Sequence, residues 1–238
     1  MTTRINLISG PRNISTALMY AFANREDTKV IDEPMYAYFL ACTGDDHPGK
    51  DEILKSQSSE WATVKSDSFF PEINKDIYFI KGMAKHYIQV VLDFLLSMEN
   101  VLLIRDPAQL IVSYTKVIAL PQMRDIGLKR EWEIFEYLQS QDQQPVVIDS
   151  NDVLADPRRM LSALCKAVGV IFSERMLSWN AGPIAEDGVW APHWYHNVHQ
   201  STGFAEPNNS DPQVPSHLTQ LLEASYEYYY KLYDHALK

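Results

Sequence analysis

Residues 5–18 read Ile-Asn-Leu-Ile-Ser-Gly-Pro-Arg-Asn-Ile-Ser-Thr-Ala-Leu, which is the pattern of a strand, a tight loop and the start of a helix. The apolar run is typical of a buried strand, and the glycine–proline pair ends it. A helix is predicted to begin at Ser15 or Thr16. Backbone N–H groups at such a helix start, together with Arg12, favour the binding of an anion. An ordinary strand–loop–helix corner with a surface arginine is the alternative.

The composition predicts one domain over residues 1–238. Hydrophobic residues make up 46% and charged residues 22%, which is ordinary for a globular protein. The net charge of −10 argues against a general binder of nucleic acid or of anionic membranes. No segment approaches the ~20 apolar residues of a membrane-spanning helix. Two distant cysteines, Cys42 and Cys165, and the lack of a leader pattern predict a cytoplasmic protein.

Five apolar runs predict the strands of an α/β fold with a mostly parallel central sheet. The runs alternate with helical patterns, which favours helices on both faces of the sheet. The predicted strands cover residues 5–8, 28–31, 77–80, 101–104 and 146–149. Helices are predicted over residues 50–61, 87–98, 130–139, 157–168 and 172–179, followed by a loop-rich segment over about 183–215 and a C-terminal helix over about 216–237.

Ionisable side chains follow two of the predicted strands. Asp32 and Glu33 come at the end of the second strand, and Lys81 comes at the end of the third. Open α/β sheets bind ligands at this edge, so Glu33 and Lys81 are candidate site residues. His86 lies a few residues further on and is a weaker candidate. The alternative is that the carboxylates cap a helix or lie in solvent and that the histidine is structural.

A second candidate anion site follows the fourth strand. Arg105 and Asp106 come directly after it, and Pro107 suits the first turn of the next helix. Ser113 is expected about two turns into that helix. An arginine offers phosphate a bidentate fork, and a serine adds a neutral donor. A surface arginine beside a capping aspartate would have the same sequence.

These segments resemble those of the sulfotransferases that use 3′-phosphoadenosine-5′-phosphosulfate (PAPS). Residues 11–16 are similar to the Pro-Lys-Ser-Gly-Thr-Thr loop that holds the 5′-phosphosulfate, although Arg12 replaces lysine and Ile14 replaces glycine. The pair Arg105 and Ser113 resembles the segment that holds the 3′-phosphate of the donor. The segment that starts at Glu33 resembles Glu-Pro-His-Phe-Phe of the heparan sulfotransferases, in which the glutamate is the general base.

The resemblance covers nearly the whole chain and implies an architecture like that of the P-loop nucleoside triphosphate hydrolases. It implies sulfuryl transfer from PAPS to a hydroxyl or amine of a small molecule, without a metal. Glu33 would then be the base and Lys81 would balance charge on the transferring group. Met83 stands where the cytosolic enzymes have their catalytic histidine, so His86 is only a reserve base. The implied donor-binding residues are Gly10, Pro11, Arg12, Asn13, Ile14, Ser15, Thr16, Arg105, Ser113, His199, Ser201, Thr202 and Gly203.

Three other functions are compatible with parts of the sequence. A P-loop kinase would need the Walker lysine, which residues 10–17 lack. A non-catalytic protein that binds a 3′-phosphonucleotide would need no base. A zinc hydrolase would use His193, His196 and His199, which follow one another at three-residue steps. The late segment also resembles plant domains named branched-chain aminotransferase-like, but no pyridoxal-phosphate lysine context is present. Partners other than a small-molecule acceptor are not expected, and neither the acceptor nor the oligomeric state can be read from the residues.

Overall fold

The central sheet is parallel and has five strands in the order β2-β3-β1-β4-β5. The computed structural model describes residues 2–207 and 211–238. Because β1 is the middle strand, the loop that follows it opens at the centre of the carboxyl edge of the sheet. The predicted α/β class, with its P-loop-like strand, loop and helix at the start of the chain, is confirmed. The strands are β1 (Thr3–Ser9), β2 (Thr28–Asp32), β3 (Ile77–Met83), β4 (Glu99–Ile104) and β5 (Val146–Asp149).

Helices cover both faces of the sheet and its carboxyl edge. The α-helices are α1 (Ser15–Ala23), α2 (Tyr36–Thr43), α3 (Lys50–Ser56), α4 (Trp61–Val64), α5 (Pro107–Tyr114), α6 (Met123–Ile126), α7 (Leu128–Ser140), α8 (Ser150–Ala155), α9 (Pro157–Ala167), α10 (Ala191–Trp194), α11 (His196–His199) and α12 (Thr219–Tyr233). A π-helical turn covers Lys65–Phe69, and 3₁₀ turns cover Ala84–His86, Leu92–Ser97, Glu174–Leu177 and Ser216–Leu218. No helix within the described ranges is both long and apolar enough to cross a membrane.

The core has two main layers, one on each face of the sheet. On one face, β-strand side chains such as Ile8 and Ile80 pack against α7 and α12. On the other face, side chains such as Leu7 and Phe79 pack against α1 and α9. A smaller apolar cluster, to which Trp190 of the late segment contributes, covers the carboxyl edge of the sheet beside α2 and α3. This third cluster closes one side of the candidate site.

The predicted helix over residues 87–98 is wrong. The structure has a 3₁₀ turn at Leu92–Ser97 and irregular backbone before it. Tyr87 is held from two sides, since its hydroxyl donates to Asn6 Oδ1 at 2.8 Å and its carbonyl accepts from Arg130 Nε at 2.9 Å. Gln89 then has a positive φ of 50°, which an α-helix cannot contain. The spacing of the apolar residues by three and four positions therefore reflects burial in this segment and not an α-helix.

Other predicted boundaries shift for local reasons. The helix predicted over residues 50–61 ends at Ser56, because the side chain of Gln57 turns back to hydrogen-bond Ala37 N and the Glu33 carbonyl. The predicted helix over 172–179 is only the 3₁₀ turn at Glu174–Leu177. The loop-rich segment contains the short helices α10 and α11, and the C-terminal helix itself is Thr219–Tyr233.

The loop after β1 is fixed by close packing. A Cβ at Gly10 would lie 2.4 Å from the carbonyl oxygen of Ile126, so no larger residue fits under the turn that joins α6 to α7. The side chain of Asn13 donates to the Leu103 carbonyl at 2.7 Å and accepts from Ile14 N at 2.9 Å. The loop is thereby tied to the end of β4 as well as to the turn above it.

Candidate active site

The two predicted anion-binding segments meet at Arg12. Arg105 Nη1 donates to the carbonyl oxygen of Arg12, and Arg12 Nε donates to Ser113 Oγ at 3.2 Å. Arg12 itself has a positive φ of 54°, a strained conformation for an arginine that the surrounding contacts maintain. The segments after β1 and β4 therefore form one continuous surface.

A cleft of about 390 Å³ lies along this surface, which we call the larger cleft. Its wall includes Arg12, Arg105 and Ser113, together with Ser201 and Gly203 from the late segment. The volume lies in the range of small-molecule sites. Burial lowers the pKa of Arg105, and the nearby positive charge of Arg12 lowers it further because the two cations repel each other. An anion bound between them would relieve that repulsion, so the cleft is suited to phosphate.

A second cavity of about 100 Å³ is lined by the same loop, and we call it the smaller pocket. Residues 11–13 and 15–16 form one wall, and Glu33, Lys81 and His86 form part of the opposite wall. The larger cleft and the smaller pocket share five lining residues, namely Arg12, Asn13, Thr16, Trp194 and Tyr195. The loop after β1 therefore lines both a cleft that contains Arg105 and a pocket that contains Glu33 and Lys81.

Lys81 connects the carboxylates at the base of the smaller pocket. Its ammonium donates to Glu33 Oε1 at 2.6 Å, to Asp32 Oδ1 at 2.8 Å and to Tyr195 Oη at 2.6 Å. The Tyr195 hydroxyl in turn donates to Asp32 Oδ2 at 2.7 Å and accepts from Trp190 Nε1 at 3.0 Å. Burial alone would lower the pKa of Lys81, but the two carboxylates outweigh it and raise that pKa. The lysine is therefore a fixed buried cation.

Glu33 is buried and strained. Its φ is +37°, and its amide donates to the Lys81 carbonyl at 2.7 Å, which continues the pairing of β2 with β3 beyond the last strand residue. Burial raises the pKa of Glu33, and the charge of Lys81 opposes that shift. A carboxylate with a raised pKa is a stronger general base than an exposed one, and the adjacent ammonium of Lys81 favours its ionised form.

His86 is a buried neutral imidazole at the same place. Its ring stacks on Tyr36 at a centroid distance of 4.7 Å and lies at the same distance from the Phe39 ring. Nδ1 is 4.0 Å from Glu33 Oε2, and neither ring nitrogen makes a hydrogen bond within the described part of the chain. Burial, and next the charge of Lys85, lower the pKa of His86 well below its ordinary value. The ring is therefore able to form a hydrogen bond with a ligand in the pocket.

The buried histidines give a prediction for stability against pH. The pKa of His86 is depressed on folding, so the unfolded chain binds a proton below about pH 6.5 that the folded chain does not. This contribution to the free energy of unfolding is complete above that pH and is lost as the pH falls. His47, whose pKa burial lowers to about 4, acts in the same direction between pH 6.5 and 4.

We therefore expect the stability advantage of the native chain over a His86→Gln variant to shrink as the pH falls from 7.5 to 5. The decrease expected for one such histidine is at most about 2 kcal/mol. Urea unfolding of both proteins at the two pH values measures it, and comparing the pair cancels the opposite shifts of buried carboxyls. A difference in stability that does not change with pH would show that His86 takes up a proton as readily in the folded chain.

The late segment contributes to the larger cleft through some of its predicted residues and not others. Ser201 and Gly203 line the cleft, whereas His199 and Thr202 are not among the described residues of its wall. His199 Nε2 instead contacts Asp187 Oδ2 at 2.8 Å, and the Tyr20 hydroxyl donates to that same oxygen at 2.7 Å. His199 therefore makes its contact within the late segment, and Asp187 joins that segment to Tyr20 of α1, so the structure does not bring His199 to the cleft.

Tyr195 and His47 are site residues to which no sequence motif points. Tyr195 follows the short helix α10 and reaches Lys81, from which 114 residues separate it. His47 joins the Tyr36 hydroxyl at 2.8 Å to the Lys85 ammonium at 3.4 Å. The length of the irregular segment around Tyr195 was the only available signal, because long loops in compact domains are usually functional.

The three late histidines do not form a common site. In residues 2–207 and 211–238, no group of three or more histidine, cysteine, aspartate or glutamate side chains is arranged to hold a metal ion. His193 lies against Gly49, whose Cβ position would be 3.1 Å from the imidazole Nε2, while His199 contacts Asp187. The arrangement therefore gives the zinc hydrolase alternative no support.

Comparison with known protein families gives one match over almost the whole chain. The family model described as "Sulfotransferase domain" matches residues 3–236. "Branched-chain-amino-acid aminotransferase-like protein 1" of Arabidopsis thaliana is 39% identical over 228 residues, which are 95% of this chain and 41% of that protein. The corresponding protein 2 of the same plant is 37% identical over 220 residues, which are 92% of this chain and 39% of that protein. The chain therefore spans about two fifths of the length of these curated relatives.

Comparison with solved structures concerns the fold. A structure described as "Sulfotransferase Domain from the Curacin Biosynthetic Pathway" superposes with a TM-score of 0.54 at 15% identity, covering 96% of this chain and 98% of that one. A sulfotransferase from Alicyclobacillus acidocaldarius gives a TM-score of 0.51 at 12% identity, covering 100% and 98%. At these low sequence identities, the comparison shows that the fold is similar and shows nothing more.

Proposed function

The chain belongs to the sulfotransferase domain family, and on that premise we propose that it transfers a sulfuryl group from PAPS to a hydroxyl or amine of a small molecule. The resemblance stated from the sequence is thus confirmed at the level of the family. The observation that carries the finer proposal is that the loop after β1 lines both the larger cleft, which contains Arg105, and the smaller pocket, which contains Glu33. Two cavities that share one wall suit a donor in the first and an acceptor in the second.

The larger cleft is the proposed donor site. Arg105 and Ser113 would bind the 3′-phosphate of PAPS, because a guanidinium fork and a hydroxyl match phosphate oxygens. Arg12 and the amides that begin α1 would bind the 5′-phosphosulfate. Arg12 keeps the charge of the family's lysine, and it contacts Ser113, one of the residues proposed for the 3′-phosphate. Ser201 and Gly203 would cover the nucleotide from the late segment.

The smaller pocket is the proposed acceptor site. An acceptor hydroxyl there would attack the sulfur atom, forming a new S–O bond as the bond from sulfur to the 5′-phosphate oxygen breaks. Its proton would pass to the carboxylate of Glu33, with His86 as the reserve acceptor of that proton. The Lys81 ammonium, 2.6 Å from Glu33 Oε1, would balance negative charge as it develops on the sulfuryl oxygens. The electrons of the broken bond stay on the released adenosine 3′,5′-bisphosphate.

Sulfuryl transfer itself is the test of this function. The protein would be incubated with ³⁵S-labelled PAPS and a panel of small alcohols, phenols and amines, and in parallel with γ-labelled ATP and magnesium. We expect label to pass from PAPS and not from ATP. Transfer from ATP alone would identify a kinase, and tight binding of adenosine 3′,5′-bisphosphate without transfer to any acceptor would identify a non-catalytic nucleotide-binding protein.

A further inference from the structure

Lys85 is a second buried lysine in the wall of the smaller pocket, and the function proposed above gives it no role. It follows Lys81 by four residues but lies in the 3₁₀ turn after β3, and its exposed fraction is 8%. Its polar partner is His47 Nε2 at 3.4 Å, and it lies 5.3 Å above the ring of Phe39. Burial lowers its pKa, as expected for an ammonium that has left water without an ion-pair partner.

The carboxylates around Lys85 are committed to other groups. Asp45 accepts two hydrogen bonds from Arg124, both at 2.9 Å. Asp125 accepts from the backbone of residue 122 in a capping box at the start of α6. Glu33 accepts from Lys81 at 2.6 Å. Within the described residues, Lys85 therefore forms no ion pair, although it lines a cavity.

A buried cation that lacks a carboxylate partner but faces a cavity is costly unless a ligand supplies the charge. Lys81 is the contrasting case in the same pocket, since it forms ion pairs with two carboxylates of the chain. Phe39 and Tyr36 provide apolar and aromatic surface beside Lys85, and His86 offers ring nitrogens without hydrogen bonds. These features describe a binding site for a compact molecule with an anionic end.

We propose that the acceptor is a small aliphatic alcohol that carries an anionic group, and that Lys85 binds this group while the hydroxyl faces Glu33. The inference rests on the proposed function and names the class of its acceptor. A cavity of about 100 Å³ is smaller than the ~150 Å³ that holds benzene, so the anion and the hydroxyl are only a few bonds apart. His47 orients the ammonium, because its ring bridges Lys85 and Tyr36.

The experiment uses matched pairs of probes that differ in charge and not in shape. These are 3-hydroxypropanoate against 3-hydroxypropanamide, and 4-hydroxybutanoate against 4-hydroxybutanamide. Two readouts are taken: sulfuryl transfer from PAPS, and thermal stabilisation of the protein saturated with adenosine 3′,5′-bisphosphate. We expect the anionic member of at least one pair to exceed its amide by roughly 10- to 100-fold in kcat/KM, with a matching preference in stabilisation.

Lys85→Met keeps most of the length of the side chain and removes the charge, and Lys55→Met, at an exposed position of α3, is the control. In Lys85→Met we expect the preference for the anionic member to disappear while the affinity for adenosine 3′,5′-bisphosphate stays within about twofold. Lys55→Met should behave as the native chain. The stabilisation readout does not need turnover, so it tests the acceptor site even if the chain is not a sulfotransferase.

Two results would overturn the inference. One is an absence of preference for the anionic member in both readouts of the native chain. The other is a Lys85→Met variant that loses activity equally with anionic and neutral acceptors or loses affinity for the bisphosphate, which would assign the lysine to the sulfuryl group or the donor. Failure of the proposed function gives a different pattern, since the native chain would then transfer no label from PAPS to any acceptor, whether or not it binds the bisphosphate.

Discussion

Replacement of Glu33 by glutamine is expected to lower kcat by ~10²–10⁴ without changing the affinity for adenosine 3′,5′-bisphosphate. Glutamine has nearly the same shape but cannot accept the acceptor's proton. Glu33 lines only the smaller pocket of the two cavities, so donor binding in the larger cleft should be unaffected. Steady-state kinetics with labelled PAPS gives kcat, and calorimetry with the bisphosphate gives the donor affinity.

Two further variants distinguish the role of a base from that of structural support. Asp32→Asn also removes a partner of Lys81 but leaves Glu33 in place, and it should cost less in kcat than Glu33→Gln. His86→Gln removes the reserve base. A kcat for Glu33→Gln within threefold of native, together with a large loss in His86→Gln, would transfer the role of base to the histidine.

Replacement of Arg105 by alanine is expected to weaken the binding of adenosine 3′,5′-bisphosphate by roughly 10- to 100-fold, which is the usual contribution of a hydrogen bond to a charged group. The same change should alter the affinity for adenosine 5′-monophosphate much less, because Arg105 is assigned to the 3′-phosphate. Part of the loss in affinity will come from a less ordered loop after β1, since Arg105 also donates a hydrogen bond to the carbonyl of Arg12. Calorimetric titration of both nucleotides measures the two contributions separately.

Control variants sharpen the result for Arg105. Arg105→Lys keeps the charge but loses the bidentate fork, so its affinity should fall between those of the native and alanine proteins. Ser113→Ala removes a neutral donor and should lower the affinity for the bisphosphate roughly 2- to 10-fold. Arg158 lies on α9 and forms an exposed ion pair with Glu174, so Arg158→Ala should leave the affinity for both nucleotides unchanged. Equal losses for the two nucleotides in Arg105→Ala would contradict the assignment to the 3′-phosphate.

The features that could be predicted from the sequence are those set by local order. Each strand is a continuous apolar run because a parallel sheet buries both of its faces. The break after Ser9 and the helix start at Ser15 follow from short-range chemistry and lie where predicted. Arg105 and Glu33 could be placed at one edge of the sheet because all parallel strands end there. Their functional roles remain predictions.

The features that could not be predicted depend on contacts between distant parts of the chain. The steps of three and four residues between 88 and 96 suggested a helix, but Tyr87 is held by Asn6 and Arg130, which lie 81 and 43 residues away. Tyr195 reaches Lys81 only because the late segment folds over the carboxyl edge of the sheet. The family resemblance implies a donor role for His199, whereas its ring contacts Asp187 in the structure.

The central claim is that two anion sites on one surface bind the two phosphates of the same adenosine nucleotide. Calorimetric titration of the native protein with adenosine 3′,5′-bisphosphate, adenosine 5′-monophosphate and adenosine 3′-monophosphate tests it most directly. The bisphosphate should bind at least roughly tenfold more tightly than either monophosphate, since each phosphate adds its own charged hydrogen bonds. Equal affinities for all three nucleotides would contradict the claim.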